Sequence, residues 1–397
     1  MIIEDIILRR ILDSRGNPTV EADVRTSSGL GRAAAPAGAS TGTHEVQAWP
    51  EGGVTAAIEL ARQDVVPQLL GLSAEEQAQV DALLHEVDGT SNFSRIGGNL
   101  AVAISLATAR AAAASQGVPL YRYVAGMGPY GLPAPMGNVL GGGAHAVGGT
   151  DIQEFLVTSF DDDVSRAIEA NAAVHRAVGA ALCERFPDTA LGRGDEGAWI
   201  APLENVAALE LVVEAVQQVA GETGVDIRPG LDLAASEFYR DGKYVYKDRS
   251  LTPEEQLDFV VALIEDYGLH SVEDPLDQED FESWAALTAK TDALVIGDDL
   301  YVTNVERLEK GLEMGATNAI LIKPNQVGTL TDTLDTVSLA REAGLATVIS
   351  HRSGETTDDA IAHLGVAFGC HAIKTGTVGG ERIAKLNELV RIAGELI

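Results

Sequence analysis

Short apolar runs alternate with longer amphipathic segments through the second half of the chain. DIRPGLD precedes TPEEQLDFVVALIEDYG, LHSVED precedes DFESWAALTAK, and DALVIGDD precedes NVERLEKGLEMG. NAILIKP, LATVISH and HAIKTG are followed in the same way by TLTDTLDTVSLAREAG, TTDDAIAHLGVAFG and ERIAKLNELVRIAG. A short apolar run suits a buried strand, and a longer run of helical period suits a helix covering it. Six strand–helix units are therefore predicted, and with them a parallel sheet. The first half reads differently. Residues 1 to about 60 suggest strands and turns, with SRGNPTVEADV alternating apolar and polar. The alanine-rich stretch at 99–117 predicts a helix that ends at its glycine. Gly and Pro concentrate in GMGPYGLPAPMG, residues 126–137. That segment divides the chain into a smaller N-terminal domain, 1–130, and a larger C-terminal one, 131–397.

Each predicted strand of the second half stops at a polar residue: Asp232, Glu273, Asp298, Lys323, His351 and Lys374 in turn. The intervals of 41, 25, 25, 28 and 23 residues are close to one βα unit apiece. In a βα barrel the carboxyl ends of all strands converge on one face, where active sites lie. A doubly wound open sheet would instead spread the same residues along a crevice.

Charge and composition narrow the classes. With 397 residues, 46% of them hydrophobic, the chain is globular. A formal charge of −31 leaves no basic excess for nucleic acid or anionic membranes. Only seven lysines, none before Lys243, stand against twenty-one arginines, a balance that suits a salt-rich cytosol where self-repulsion is screened. The two cysteines, Cys183 and Cys370, match no metal or redox spacing, which fits a reducing compartment. No run is long and apolar enough to span a bilayer, and the first residues lack the features of a signal peptide. The expectation is a soluble cytoplasmic protein.

Three carboxylates at successive strand ends, Asp232, Glu273 and Asp298, would repel one another unless a hard cation lay among them. Oxygen ligands without Cys or His suit Mg²⁺. Asp274 and Asp299 follow two of them directly, so the ligand in each acidic pair could be its neighbour. Lys323, His351 with Arg352 and Ser353, and Lys374 then bring positive charge to the same rim, suited to a small, highly charged anion. A lysine beside a divalent cation and a second lysine is pushed toward its neutral form and can serve as a base. Metal and lysine together suggest removal of a proton alpha to a carboxylate, with Mg²⁺ holding the resulting enediolate. Upstream, GDEGAW at 194–199 reads as an exposed turn carrying two acids. GGGAHAVGGTDIQEF at 141–155 surrounds His145 with glycine ahead of Glu154, as a mobile lid would. No G-K-[ST] follows those glycines, so a phosphate-cradling P-loop is not expected.

Read together, SRGNPTVE, GASTG, QEF, GDEG, SEF, VEDPLDQED, GDDL, KPNQ, SHRSGET, IKTG and AKLNEL stand in an order that resembles the enolase family from Ser14 to Leu389. The resemblance implies a C-terminal modified TIM barrel of ββαα(βα)₆ type with a smaller α+β N-terminal domain, an α/β protein as a whole. It implies reversible dehydration of 2-phosphoglycerate to phosphoenolpyruvate, with two Mg²⁺ per site. By motif, Asp232, Glu273 and Asp298 would hold the first metal, and Ser40 in GASTG would help bind the second. Lys323 would take the C2 proton, and Glu196, supported by Glu154, would act as acid at the C3 hydroxyl. Lys374 would neutralise the substrate carboxylate. His145, His351, Arg352 and Ser353 would serve closure and phosphate binding. A homodimer is implied, with the Arg15 and Glu21 region at its interface. The short loops and the acidity resemble archaeal, halophilic members.

Some segments depart from the family's pattern. VQAWPEGG is short after HE at 44 and 45, TVGGER lacks one arginine after IKTG, and the C-terminal RIAGELI carries fewer acids. An acid-sugar dehydratase or racemase of the same superfamily would carry its base as a lysine on an earlier barrel strand. Here that region reads DIQEFLVTSF, without lysine. A binding protein that kept the fold but lost turnover would not need the full acid, base and metal set.

Overall fold

The computed structural model describes residues 1–396 apart from 40, 127–129 and 147, and the side chain of His145 is likewise outside the described set. The chain opens with an antiparallel meander, β1 (Ile3–Leu12), β2 (Pro18–Thr26) and β3 (Leu30–Ala34). Alternation in the sequence becomes facing in the sheet: Val20, Ala22 and Val24 point inward and are wholly buried. They face the helix Gly98–Gln116, whose alanines are buried almost all round, as a helix inside a core must be. The approach is close enough to demand glycine in the strand. A Cβ at Gly31 would stand 1.9 Å from the Ala107 carbonyl oxygen. Helix rather than turn begins at Gly53, somewhat before the predicted limit.

The second half closes into a barrel of β4 (Ala134–Gly141), β5 (Glu154–Phe160), β6 (Asp226–Asp232), β7 (Ser271–Glu273), β8 (Leu294–Gly297), β9 (Ala319–Ile322), β10 (Ala346–Ser350) and β11 (Ala372–Lys374). Closure comes from parallel pairing of β11 with β4, Lys374 opposite Met136. The open-sheet alternative is thereby excluded. Two long helices, Val164–Arg185 and Asn205–Thr223, separate β5 from β6, giving the ββαα(βα)₆ order. The interior is filled by Met136, Leu156, Ile296, Ala319, Leu321, Val348 and Ala372, so the barrel is a packed core and not a pore. The long interval between Asp232 and Glu273 has a simple cause. Three short antiparallel strands between residues 239 and 251 are inserted before the covering helix Pro253–Tyr267.

The six strands of the predicted units are parallel, whereas β5, which precedes them, runs antiparallel to both β4 and β6. Its first residue, Glu154, is thereby paired directly with Asp232, the last residue of β6. Asp232 is in turn level with Glu273 on β7. Reversal of a single strand thus brings a further carboxylate to the same rim. No helix among the described residues is long and apolar enough to cross a membrane.

Candidate active site

The strand-end residues meet at one buried face. Lys374 lies among carboxylates, its Nζ 2.7 Å from Glu273 Oε2, 3.0 Å from Asp232 Oδ2 and 3.3 Å from Glu154 Oε2. Lys323, just beyond β9, pairs with Asp298 Oδ2, while Gln326 Nε2 donates to Asp298 Oδ1 at 2.9 Å. Burial opposes charge on Lys374, but Asp232, Glu154 and Glu273 outweigh it and hold its pKa well above the ordinary lysine value. Lys323 is likewise raised: burial opposes its charge, but the carboxylates around it, Asp298 and Glu273 foremost, together favour it. The sequence expectation for Lys323 concerned the site with its cation in place. Without one, the neighbouring carboxylates favour its charged form, and an added cation would press it the other way.

Negative charge is in surplus at this rim. Burial first and Asp232 next push Glu273 well above the usual carboxylate range. Burial and Asp298 push Asp299 up to about 8. Asp298 goes the other way, since Lys323 outweighs its burial. Oxygens of Glu273, Asp274 and Asp298 lie within 4.8 Å of one another. Such an all-oxygen set, with more carboxylate charge than its lysines neutralise, fits Mg²⁺. Asp274 also braces the backbone. Its two oxygens accept from the amides of Asp298 and Asp299 at 3.0 and 2.9 Å, fixing the end of β8. Its own φ of +41° is a non-glycine left-handed conformation, consistent with a residue held for that purpose. Sequence reading raised Asp274 only as a substitute ligand and missed this structural role.

The GDEG turn reaches the rim from the side. Glu196 Oε1 stands 3.4 Å from His351 Nε2, and Asn138 Nδ2 donates to Oε2 at 3.3 Å. The preceding acid, Asp195, pairs at 3.0 Å with Arg15 from the N-terminal half. Glu21 accepts from Arg9 at 2.6 Å within its own sheet. The charges of Arg15 and Glu21 are therefore both met inside the chain.

A segment of the N-terminal half covers the site. Arg352 donates both terminal nitrogens to Glu45, at 2.9 and 3.0 Å, in the bidentate fork that suits guanidinium and carboxylate. The Ala39 amide donates to Ser353 Oγ at 2.6 Å, and the Thr43 amide to Gln278 Oε1 at 3.0 Å. His44 Nε2 lies 2.6 Å from Glu279 Oε1. Ser40, between these anchors, is outside the described residues. The backbone of His145 lies in the short turn Gly143–His145. A cavity of about 20 Å³ remains, lined by Glu154, Glu196, Asp232, Asp298, Lys323 and Lys374 among others. A larger groove at the opposite end of the barrel, beside Phe160, Arg166 and His371, has no such ring of facing charges.

Sequence reading thus located the rim but not all of its supports. Glu45, Gln326 and Asn138 were missed as individual residues. Only Glu45 and Gln326 sat inside quoted segments, HE and KPNQ, the one signal that pointed toward them.

Known proteins agree with this arrangement along the whole chain. Residues 3–124 match the family "Enolase, N-terminal domain" and residues 129–397 match "Enolase, C-terminal TIM barrel domain". An enolase of Halorubrum lacusprofundi is 53% identical, the alignment covering 100% of this chain and 99% of that protein. One from Methanosphaera stadtmanae is 52% identical over 100% of this chain and 98% of its own. One from Thermoplasma acidophilum is 48% identical over 98% of each. Barrel order, rim chemistry and full-length similarity coincide, and the chain belongs to the enolase family.

Proposed function

We propose that this chain is a phosphopyruvate hydratase, a carbon–oxygen lyase that interconverts 2-phospho-D-glycerate and phosphoenolpyruvate with water in glycolysis and gluconeogenesis. The observation that carries the reading is the buried rim itself. It holds two lysines, a separate acid on the GDEG turn and a surplus of carboxylate oxygens within one small cavity.

The roles follow from placement. Asp232, Glu273 and Asp298 would hold one Mg²⁺, and Ser40 would help hold a second. When bound, these ions supply the positive charge that offsets the carboxylates and the charge building on the substrate carboxylate. Lys323 Nζ takes the C2 proton, leaving the electron pair on the substrate. Glu196 then gives a proton to the C3 hydroxyl, which leaves as water as the C2–C3 double bond forms. Glu154 stands beside Lys374, and Lys374 sets its charge against the substrate carboxylate. Arg352, Ser353 and His145 serve the phosphate and the closing segments.

The remaining features are part of the same proposal. The acidic, lysine-poor surface belongs to a halophilic protein of the cytoplasm, which the similarity to the Halorubrum enolase supports. The domains divide near residue 130, and the protein works as a homodimer. Incubation with 2-phosphoglycerate, Mg²⁺ and molar KCl, followed by ultraviolet absorbance of the enol product, tests the activity. No rise in absorbance from folded protein would overturn it.

A further inference from the structure

Behind the rim lies a guanidinium that the proposed mechanism does not use. Arg382, on the helix Gly380–Leu396, is wholly buried. Its Nη1 is 2.8 Å from His351 Nδ1 and donates to the Arg352 carbonyl at 2.5 Å. Its Nη2 donates to the carbonyls of Ser353 at 2.7 Å and Asp195 at 3.2 Å. One side chain thus joins the segment after β10 to the GDEG turn. The fit is tight on the other side too. Gly376 has φ +72°, and a Cβ there would stand 3.2 Å from both Arg382 Cγ and the Glu196 carbonyl oxygen.

A guanidinium has donors only, so the nitrogen it faces must accept. His351 Nδ1 therefore carries no proton, and a neutral ring keeps its single proton on Nε2. That nitrogen faces Glu196 Oε1. Burial holds the ring well below the ordinary histidine pKa against the opposing pull of Glu196, with Arg382, Lys374 and Lys385 adding to the lowering.

We propose that Arg382 is a positioning residue that locks His351 as the Nε2–H tautomer and holds the GDEG turn against it. The ring then presents a fixed N–H to the Glu196 carboxylate. A donor held there favours the charge that Glu196 acquires as its proton departs. This catalytic consequence rests on the reading of Glu196 as the acid, whereas the tautomer itself does not.

The test is a long-range proton–nitrogen correlation spectrum of the full protein labelled at its histidines, with His351 assigned by the signal lost in His351→Gln. The expected pattern is Nε2–H with bare Nδ1, unchanged from about pH 5.5 to 8.5 across the ordinary histidine titration. In Arg382→Met the ring should show mixed tautomers or protonate as pH falls. Its kcat should drop by roughly 10²–10⁴, the range that a positioned acid–base group contributes, with little change in KM. Arg382→Lys keeps one donor and should restore the tautomer and part of kcat. Should Arg382→Met fail to fold, the wild-type spectrum still decides. A proton on Nδ1, or an ordinary histidine titration, overturns the proposal, as does an unaltered ring signal in folded Arg382→Met. The expected tautomer in a protein inert toward 2-phosphoglycerate would sink the functional reading and leave the lock standing.

Discussion

Replacing Lys374 with methionine removes the one ammonium that lies within 3.3 Å of Glu154, Asp232 and Glu273 together, while keeping an unbranched side chain one atom shorter. Breaking a buried ion pair by deleting one partner costs about 3–5 kcal/mol, because the other charge is left uncompensated. A barrel of this size loses roughly 2 °C of melting temperature per kcal/mol, so a fall of roughly 6–10 °C is expected near neutral pH. The pH dependence has a definite sign. The raised pKa of Lys374 means that its stabilising contribution is fully present below the ordinary lysine pKa, hence throughout the neutral range. In the variant Glu273 is raised further than it already is, and stability falls as pH rises through the ordinary carboxylate pKa toward the raised value. The deficit should therefore shrink on acidification. Mg²⁺ should raise the variant's melting temperature more than the wild type's, because the oxygens it would bind have lost a competing cation. Circular-dichroism melts in molar KCl at several pH values, with EDTA and with Mg²⁺, measure all three effects. Equal melting temperatures at pH 8 in EDTA, or a smaller Mg²⁺ effect in the variant, would refute the reasoning.

Glu196→Gln should still exchange the C2 proton of 2-phosphoglycerate with solvent while forming little phosphoenolpyruvate, because the amide keeps its hydrogen bonds but cannot supply a proton to the leaving hydroxyl; joint loss of both activities with substrate still bound would place Glu196 in proton abstraction. Glu45→Gln weakens the bidentate hold on Arg352 and should raise KM and protease sensitivity at residues 37–45, and an unchanged limited-proteolysis pattern would show that this ion pair does not hold the segment. Folding should require high ionic strength, since a formal charge of −31 repels itself when unscreened; identical melting curves with and without molar KCl would remove the halophilic reading.

The parts of the site that recur with the βα unit were legible, because hydrophobic period gives the strand and the barrel brings each strand's end to one rim. Asp232, Glu273, Asp298, Lys323, His351 and Lys374 were found in this way. Glu154 lies outside that rhythm: it stands at the start of a reversed strand, so the glycine-rich stretch before it and the family resemblance pointed to it, and the period did not. Contacts between distant segments left no trace in the period. Glu45 and Arg352 are 307 residues apart, and Arg382 reaches His351 from a helix whose other residues look like an ordinary amphipathic cover. The contact of Lys323 with Asp298 was not legible either, because the sequence shows which charges share a rim but not which lie nearest.

The central claim is that Lys323 removes the proton at C2, and exchange of that proton tests it apart from the rest of the reaction. In deuterated buffer with Mg²⁺ and molar KCl, the C2–H proton signal of 2-phosphoglycerate should disappear with the wild-type protein, faster than equilibration through phosphoenolpyruvate allows. With Lys323→Ala, folded and still binding Mg²⁺, exchange should slow by roughly 10²–10⁴, the contribution typical of a positioned general base. Exchange at the wild-type rate in that variant would mean that another group takes the proton.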